Sequence, residues 1–111
     1  MGLLPASFHG LCLVRTTVGK RADAEGLARR LVEARLAGCA HVSEVGSVYR
    51  WKGAVQQETE YLVEARTTTG GRAALARAME QGHPYEVPLV ESIAVAQVPA
   101  KYAAWLRGEV R

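Results

Sequence analysis

The chain has 111 residues, 49% of them apolar. That is enough for one domain whose core needs no disulfide or metal staple, and it excludes a disordered chain. The 14 basic and 11 acidic residues leave a formal charge of +3, and the signs interleave, as in Glu25/Arg29/Glu33 and Glu64/Arg66, so no basic stripe for nucleic acid stands out. Two cysteines, Cys12 and Cys39, make no disulfide scaffold and read as reduced thiols of a cytoplasmic protein. No signal peptide is read at Met1-Gly2-Leu3-Leu4-Pro5, and no apolar run approaches the length needed to cross a bilayer.

In chain order, residues 1–7 read as a loose tail and 8–111 as a single domain. Phe8–Thr16 reads as a first strand, broken at Val18-Gly19. A helix is expected from Arg21 to Leu36, because Ala24, Leu27, Ala28, Leu31 and Ala34 fall on one apolar stripe. Asp23 in its first turn and Arg35 in its last suit the helix dipole, and Gly38 is the expected stop. Ala40–Trp51 and Val55–Thr67 read as two strands around a Lys52-Gly53 turn, the second with Tyr61, Val63 and Ala65 on one face and Leu62, Glu64 and Arg66 on the other. Gly70-Gly71 breaks the chain again. A short helix follows over Arg72–Gln81, with Leu75, Ala78 and Met79 inward. His83–Pro88 is a rigid link, since Pro84 and Pro88 fix φ and disfavour helix just before them. Leu89–Ala96 reads as a fourth strand. Pro99 opens a last helix expected to bury Tyr102, Trp105 and Leu106.

The order β-α-β-β-α-β plus a terminal helix is the ferredoxin-like, split-βαβ arrangement of an α+β fold. Arg15-Thr16-Thr17 and Arg66-Thr67-Thr68 echo one another where the first and third strands end. The central hairpin is too long for this body. Twelve residues at roughly 3.3 Å each span about 40 Å, whereas a domain of this size has a radius of gyration near ~13 Å. Its tip carries Val48, Tyr49 and Trp51, which favour burial. Pairing with further copies of the chain solves this; the alternative is a bulge at Gly46 that folds the hairpin back.

Five segments, in this order, resemble the CutA divalent-cation-tolerance family: Leu31–Ala40, Ser47–Gly53, Glu60–Thr68, His83–Pro88 and Tyr102–Leu106. The resemblance covers residues 11–107. It implies a homotrimer with PII-like architecture, in which long hairpins reach neighbouring subunits, and association with tolerance of divalent metals, some members binding copper or similar ions. The sequence departs from the family at Thr16 (a second metal-associated cysteine in some members), Gly82 (a histidine in some), Arg66 (commonly lysine) and Ala94 (commonly proline). The loop expected around Glu44-Val45 is one residue short.

Cys39, His83 and Glu60 are the candidate metal ligands, because thiolate, imidazole and carboxylate together suit copper or zinc. The family pattern places them on segments that could meet across subunits. Cys39 and His83 have competing readings as a small core residue and a backbone-bonded histidine, Glu60 as a solvated charge. His41 is a further candidate. Tyr49, Trp51, Arg66, Tyr85 and Trp105 are candidates for an inter-subunit cleft or for packing. Arg15, Arg50, Arg66 and Arg72 are candidates for holding an anion in such a groove.

The leading functional expectation is a trimer that binds or responds to copper or another divalent metal, with no cofactor required and neither nucleic acid nor membrane as partner. The alternative is a PII-like signalling trimer holding a small anionic metabolite in its clefts, although no Gly-rich phosphate loop is present. An enzyme is disfavoured: the chain has no asparagine, which an acylphosphatase-type site requires, and no Ser/His/Asp or Cys/His signature. An RNA-recognition module would need exposed aromatics where Leu62–Arg66 stand.

Overall fold

The computed structural model of the chain describes residues 9–111; the expected tail and Phe8 lie outside them. Seven elements follow one another: β1 (Leu11–Val18), α1 (Arg21–Glu33), β2 (Cys39–Trp51), β3 (Ala54–Thr68), α2 (Arg72–Glu80), β4 (Glu91–Ala94) and α3 (Ala100–Glu109). The strands form one sheet in the order β2-β3-β1-β4, with antiparallel pairing throughout. This is the split-βαβ order expected from the sequence.

Side chains alternate across the sheet. Val14, Val18, Val63 and Ala65 point to one face and meet Ala24 and Leu31 of α1 and Leu75 and Met79 of α2 in the main core. Ala24, Leu27, Ala28 and Leu31 of the expected α1 stripe and the inward residues of α2 join this core, whereas Ala34 lies past the end of α1 and outside it. Tyr61 packs at the edge of this cluster. Among the described residues, the opposite face carries no second helical layer; its far end is covered where Leu11 meets Ala103 and Leu106 of α3. Trp105 is corrected from buried to 45% exposed, since it lies on the outer side of α3 against Tyr102, ring centroids 5.6 Å apart.

Two chain reversals depart from expectation. Helix α1 ends at Glu33 rather than Leu36, and the reversal falls on Arg35, which takes a left-handed φ of 59°. Arg35 therefore lies beyond the last turn, where Arg30 is the basic residue. Its guanidinium reaches Glu109 at 3.3 Å. Gly38 is not the helix stop. It donates its N–H to the Arg66 carbonyl at 2.9 Å, and a Cβ there would overlap the Leu106 side chain. Glycine is needed at 38 because α3 packs onto the backbone.

The hairpin shows no bulge. Pairing runs without interruption from Cys39↔Arg66 to Trp51↔Ala54, through Gly46↔Thr59. Glu44 and Val45, expected in a loop, are ordinary ladder residues opposite Tyr61 and Glu60. The two-residue turn takes positive φ at Lys52 (49°) and Gly53 (79°), the pair of left-handed residues that a tight hairpin requires. The ribbon therefore projects. The longest dimension is 47 Å and the radius of gyration 15.1 Å, against about 13 Å for a compact chain of this length. Val48 and Val55 near the tip are 67% and 61% exposed.

Strand β4 is half the expected length because its ladder ends at Arg15↔Glu91. Two residues further along β1, the Thr17 carbonyl is taken by the His83 ring instead.

Substituting Leu75→Ala should cost about 2–5 kcal/mol by urea denaturation, since the side chain is fully buried between α2 and the sheet. Gly38→Ala should cost about 1–3 kcal/mol by displacing α3.

Candidate functional site

The link between α2 and β4 is fastened to β1 by one histidine. Gly82, at φ 73°, turns the chain out of α2. The His83 Nδ1 then accepts the Tyr85 backbone N–H at 3.1 Å, while Nε2 lies 3.1 Å from both the Thr17 carbonyl and the Thr16 hydroxyl. An accepting Nδ1 puts the ring proton on Nε2, where it is donated to Thr17. Both ring nitrogens are thus occupied. Thr16 supplies a hydroxyl beside this imidazole, a poorer partner for copper or zinc than a thiolate would be.

The fastened link lays Tyr85 against β3. Its ring centroid stands 4.9 Å from that of His83, and its hydroxyl donates to Glu60 at 2.6 Å. Glu60 is 7% exposed. One step toward the hairpin tip on the same strand face, Glu58 accepts a hydrogen bond from the Tyr49 hydroxyl. Burial, and then the bond to Glu60, push the Tyr85 hydroxyl well above the ordinary tyrosine range. The bond to Glu58 raises Tyr49 in the same sense. Both phenols stay neutral at physiological pH and hold their carboxylates in place.

Between the hairpin and the link lies an open cleft of about 750 Å³. The hairpin contributes Tyr49, Trp51, Glu58 and Glu60, and the link contributes Tyr85, Glu86, Val87 and Leu89. Three carboxylates line it, and none of its lining residues is basic. Tyr49, Trp51, Tyr85 and Glu60 were singled out in the sequence. Glu58 and Glu86 were not, although the two-residue spacing of Glu58 and Glu60 on a strand places both on one face.

The remaining candidates lie elsewhere. Cys39 begins β2 opposite Arg66, and its Sγ is 3.1 Å from the Tyr102 hydroxyl. Six residues of β3 separate that pairing from Glu60, about 20 Å along the strand. Within one chain the structure therefore groups Glu60 with the His83 link and leaves Cys39 apart. Among the described residues, no group of three or more His, Cys, Asp or Glu lies close enough to hold a metal ion. Arg66 donates to His41 Nδ1 at 3.1 Å. Arg15 is bound to Glu91 at 2.6 Å and Glu64 at 3.5 Å. Arg50 sits beside the hairpin turn and Arg72 at the start of α2, so the four arginines form no cluster in one chain.

Burial and the contact with Cys39 push the Tyr102 hydroxyl up to about 12, with Arg66 opposing. A folded-state value above that of the unfolded chain stabilises the fold fully below pH ~10 and loses that contribution as pH rises through it. An absorbance titration of tyrosinate should thus show a component near 12 that Tyr102→Phe removes. Ionisation of every tyrosine near pH ~10 would contradict this.

Comparison with known proteins agrees with this architecture. Residues 12–109 match the family model described as CutA1 divalent ion tolerance protein. A divalent-cation tolerance protein CutA from Thermus thermophilus is 36% identical over 86% of this chain and 93% of its own length. A probable cutA homolog from Encephalitozoon cuniculi is 36% identical over 84% and 82%. The structure of CutA from Synechococcus elongatus superposes with a TM-score of 0.88 at 33% identity, covering 98% of this chain and 95% of that one. With the family model matched over residues 12–109 and relatives 36% identical over most of both chains, the chain belongs to the CutA1 divalent-ion-tolerance family.

Proposed function

We propose that this chain acts in divalent-cation tolerance as a cytoplasmic homotrimer of PII-like architecture, and that any metal it takes is held between copies rather than within one. The observation that carries this reading is the projecting ribbon. Among the described residues, the outer edge of β2 has no strand partner in the sheet over thirteen residues, and exposed Val48, Tyr49, Trp51 and Val55 lie at its end. An unpaired edge of that length is a template for strand addition, and apolar residues at its tip favour a partner that covers them. Copies of the chain are the economical partner, because each brings the same ribbon.

The metal part of the reading rests on donor chemistry. Cys39, Glu60 and His83 remain the proposed donors for copper or a similar ion. About 20 Å of strand parts Cys39 from Glu60, so a shared ion needs donors from different subunits. His83 would have to release the Tyr85 N–H before Nδ1 could ligate. The alternative of an anionic metabolite in the clefts draws no support from a cleft to which this chain brings three carboxylates and no base.

Titration of tag-free protein with Cu²⁺ and Zn²⁺ tests the metal reading. Saturable binding is expected, weakened about 10–100-fold by Cys39→Ala or Glu60→Gln. The reading is overturned by an absence of saturable binding, or by binding indifferent to Cys39→Ala, Glu60→Gln and His83→Ala alike.

A further inference from the structure

We infer that the N-terminus of α2 is a binding site for a phosphate group, carried by a phosphomonoester or present as the free anion. This goes beyond the tolerance reading and uses none of Cys39, Glu60 and His83. The hairpin tip and the outer edge of β2, which sister copies cover in that reading, lie elsewhere. The chain enters α2 from the end of β3 opposite the hairpin turn, roughly 40 Å along the strand, and α2 packs over β1, β3 and β4.

Helix α2 starts without the usual means of satisfying its first N–H groups. Its N-cap is Gly71, with no side-chain cap hydrogen bond and no acidic residue in the first turn. The Gly71 N–H is taken by Thr68, and the Arg72 N–H by the Thr69 carbonyl at 3.4 Å. The next two, on Ala73 and Ala74, have no acceptor among the described residues. These are the donors that a capping oxygen takes in other helices. They stand at the positive end of a nine-residue helix, where an anion is favoured. Arg72 adds a guanidinium that forms no ion pair among the described residues. Its field reaches the sheet: burial pushes the Cys12 thiol up, and Arg72 opposes that rise.

A second, independent feature lies directly beneath this helix end. Thr67 is fully buried, and its Oγ1 has no hydrogen-bond partner, the one such side-chain atom among the described residues. A buried hydroxyl left unbonded is unfavourable and uncommon in native proteins. This one is aimed at the N-cap: it lies 2.7 Å from the place a Cβ on Gly71 would take, and Thr68 Oγ1 lies 3.2 Å from the same place. Thr68 accepts the Gly71 N–H, which leaves its own proton to donate. An oxygen held over Gly71 therefore meets two hydroxyls on one side and the Ala73 and Ala74 N–H groups on the other. The Val110 side chain, 3.4 Å from that place, shields it from solvent, and an entering oxygen moves this methyl group aside. Nothing stands within 4 Å of the Cβ position of exposed Gly70, so the rest of the ligand has room there. Four donors and a guanidinium suit the three terminal oxygens of a phosphate group better than the two of a carboxylate.

Orthophosphate is the probe. Calorimetric titration of the full chain in its native assembly, with a chelator present and ionic strength held with NaCl, should show saturable binding. Ala73→Glu puts a carboxylate at an exposed position of the first turn. It should weaken phosphate at least about tenfold by like-charge repulsion, while thermal stability stays equal or rises because a first-turn acid suits the helix dipole. Thr67→Val keeps the side-chain shape and removes the hydroxyl. It should weaken phosphate about tenfold, and the unliganded fold should be no less stable, since no hydrogen bond is lost. If Thr67→Val does not fold, Arg72→Gln takes its place, with a loss of about threefold or more expected. Glycerol 3-phosphate separates the two sources: tighter binding than orthophosphate assigns a phosphomonoester, and equal or weaker binding assigns the free anion. The proposal is overturned by an absence of saturable binding of both probes, or by phosphate binding that is indifferent to Ala73→Glu or to the second variant. None of these results bears on the metal reading, because the chelator removes any metal ion.

Discussion

The β2–β3 ladder is the constraint on which the rest of the molecule depends. Thirteen residues of β2 pair in unbroken register with β3, and no bulge turns the ribbon back toward the globule. The half of it nearest Cys39 lies within the sheet, where Val42 and Val63 reach the main core. Among the described residues, the other half has neither helices over one face nor a strand beyond its edge. A two-stranded ribbon is marginal in water by itself, so the free half must gain stability from outside the single chain. Its aromatic and aliphatic tip is the surface to which that stabilisation applies.

The cleft follows from the same extension. Glu58 and Glu60 lie where β3 leaves the body of the sheet, and the His83–Pro88 link is the segment near enough to approach them. Prolines at both ends stiffen the link, and His83 ties it to the β1 edge just where β4 stops pairing. The chain of contacts runs from Thr17 through His83 and Tyr85 to Glu60.

Much of the fold was legible in the sequence, because the period-2 and period-3.6 patterns are clean where one face meets a core. Val63 and Ala65, Ala24 and Leu31, and Leu75 and Met79 all take the faces their spacing indicates. The errors arise where tertiary contacts override local signals. Gly38 resembles a helix stop, yet glycine is required there by Leu106, which arrives from some 70 residues later in the chain. Arg35 makes the left-handed reversal without being glycine. Trp105 looks like a core residue from composition alone, while α3 in fact buries the smaller Ala103 and Leu106.

The site was legible in part. Glu60, His83 and Tyr85 come together as neighbours, joined by hydrogen bonds that no spacing rule reveals, since His83 and Tyr85 act on strands 20 or more residues away in sequence. Glu58 and Glu86 passed unnoticed because a single exposed carboxylate resembles any solvated charge until a cavity sets three of them around one space. Cys39 drew attention as a thiol, and the structure places it at the opposite end of the ribbon from Trp51, beside Tyr102 and Arg66.

The claim that the ribbon is completed by sister copies is tested most directly by sedimentation equilibrium over a wide dilution range. The account predicts a particle of three times the 12.0 kDa chain mass that persists on dilution and is weakened by charge placed at Val48 or Val55. A compact 12.0 kDa species, stable and soluble at every concentration, would contradict it.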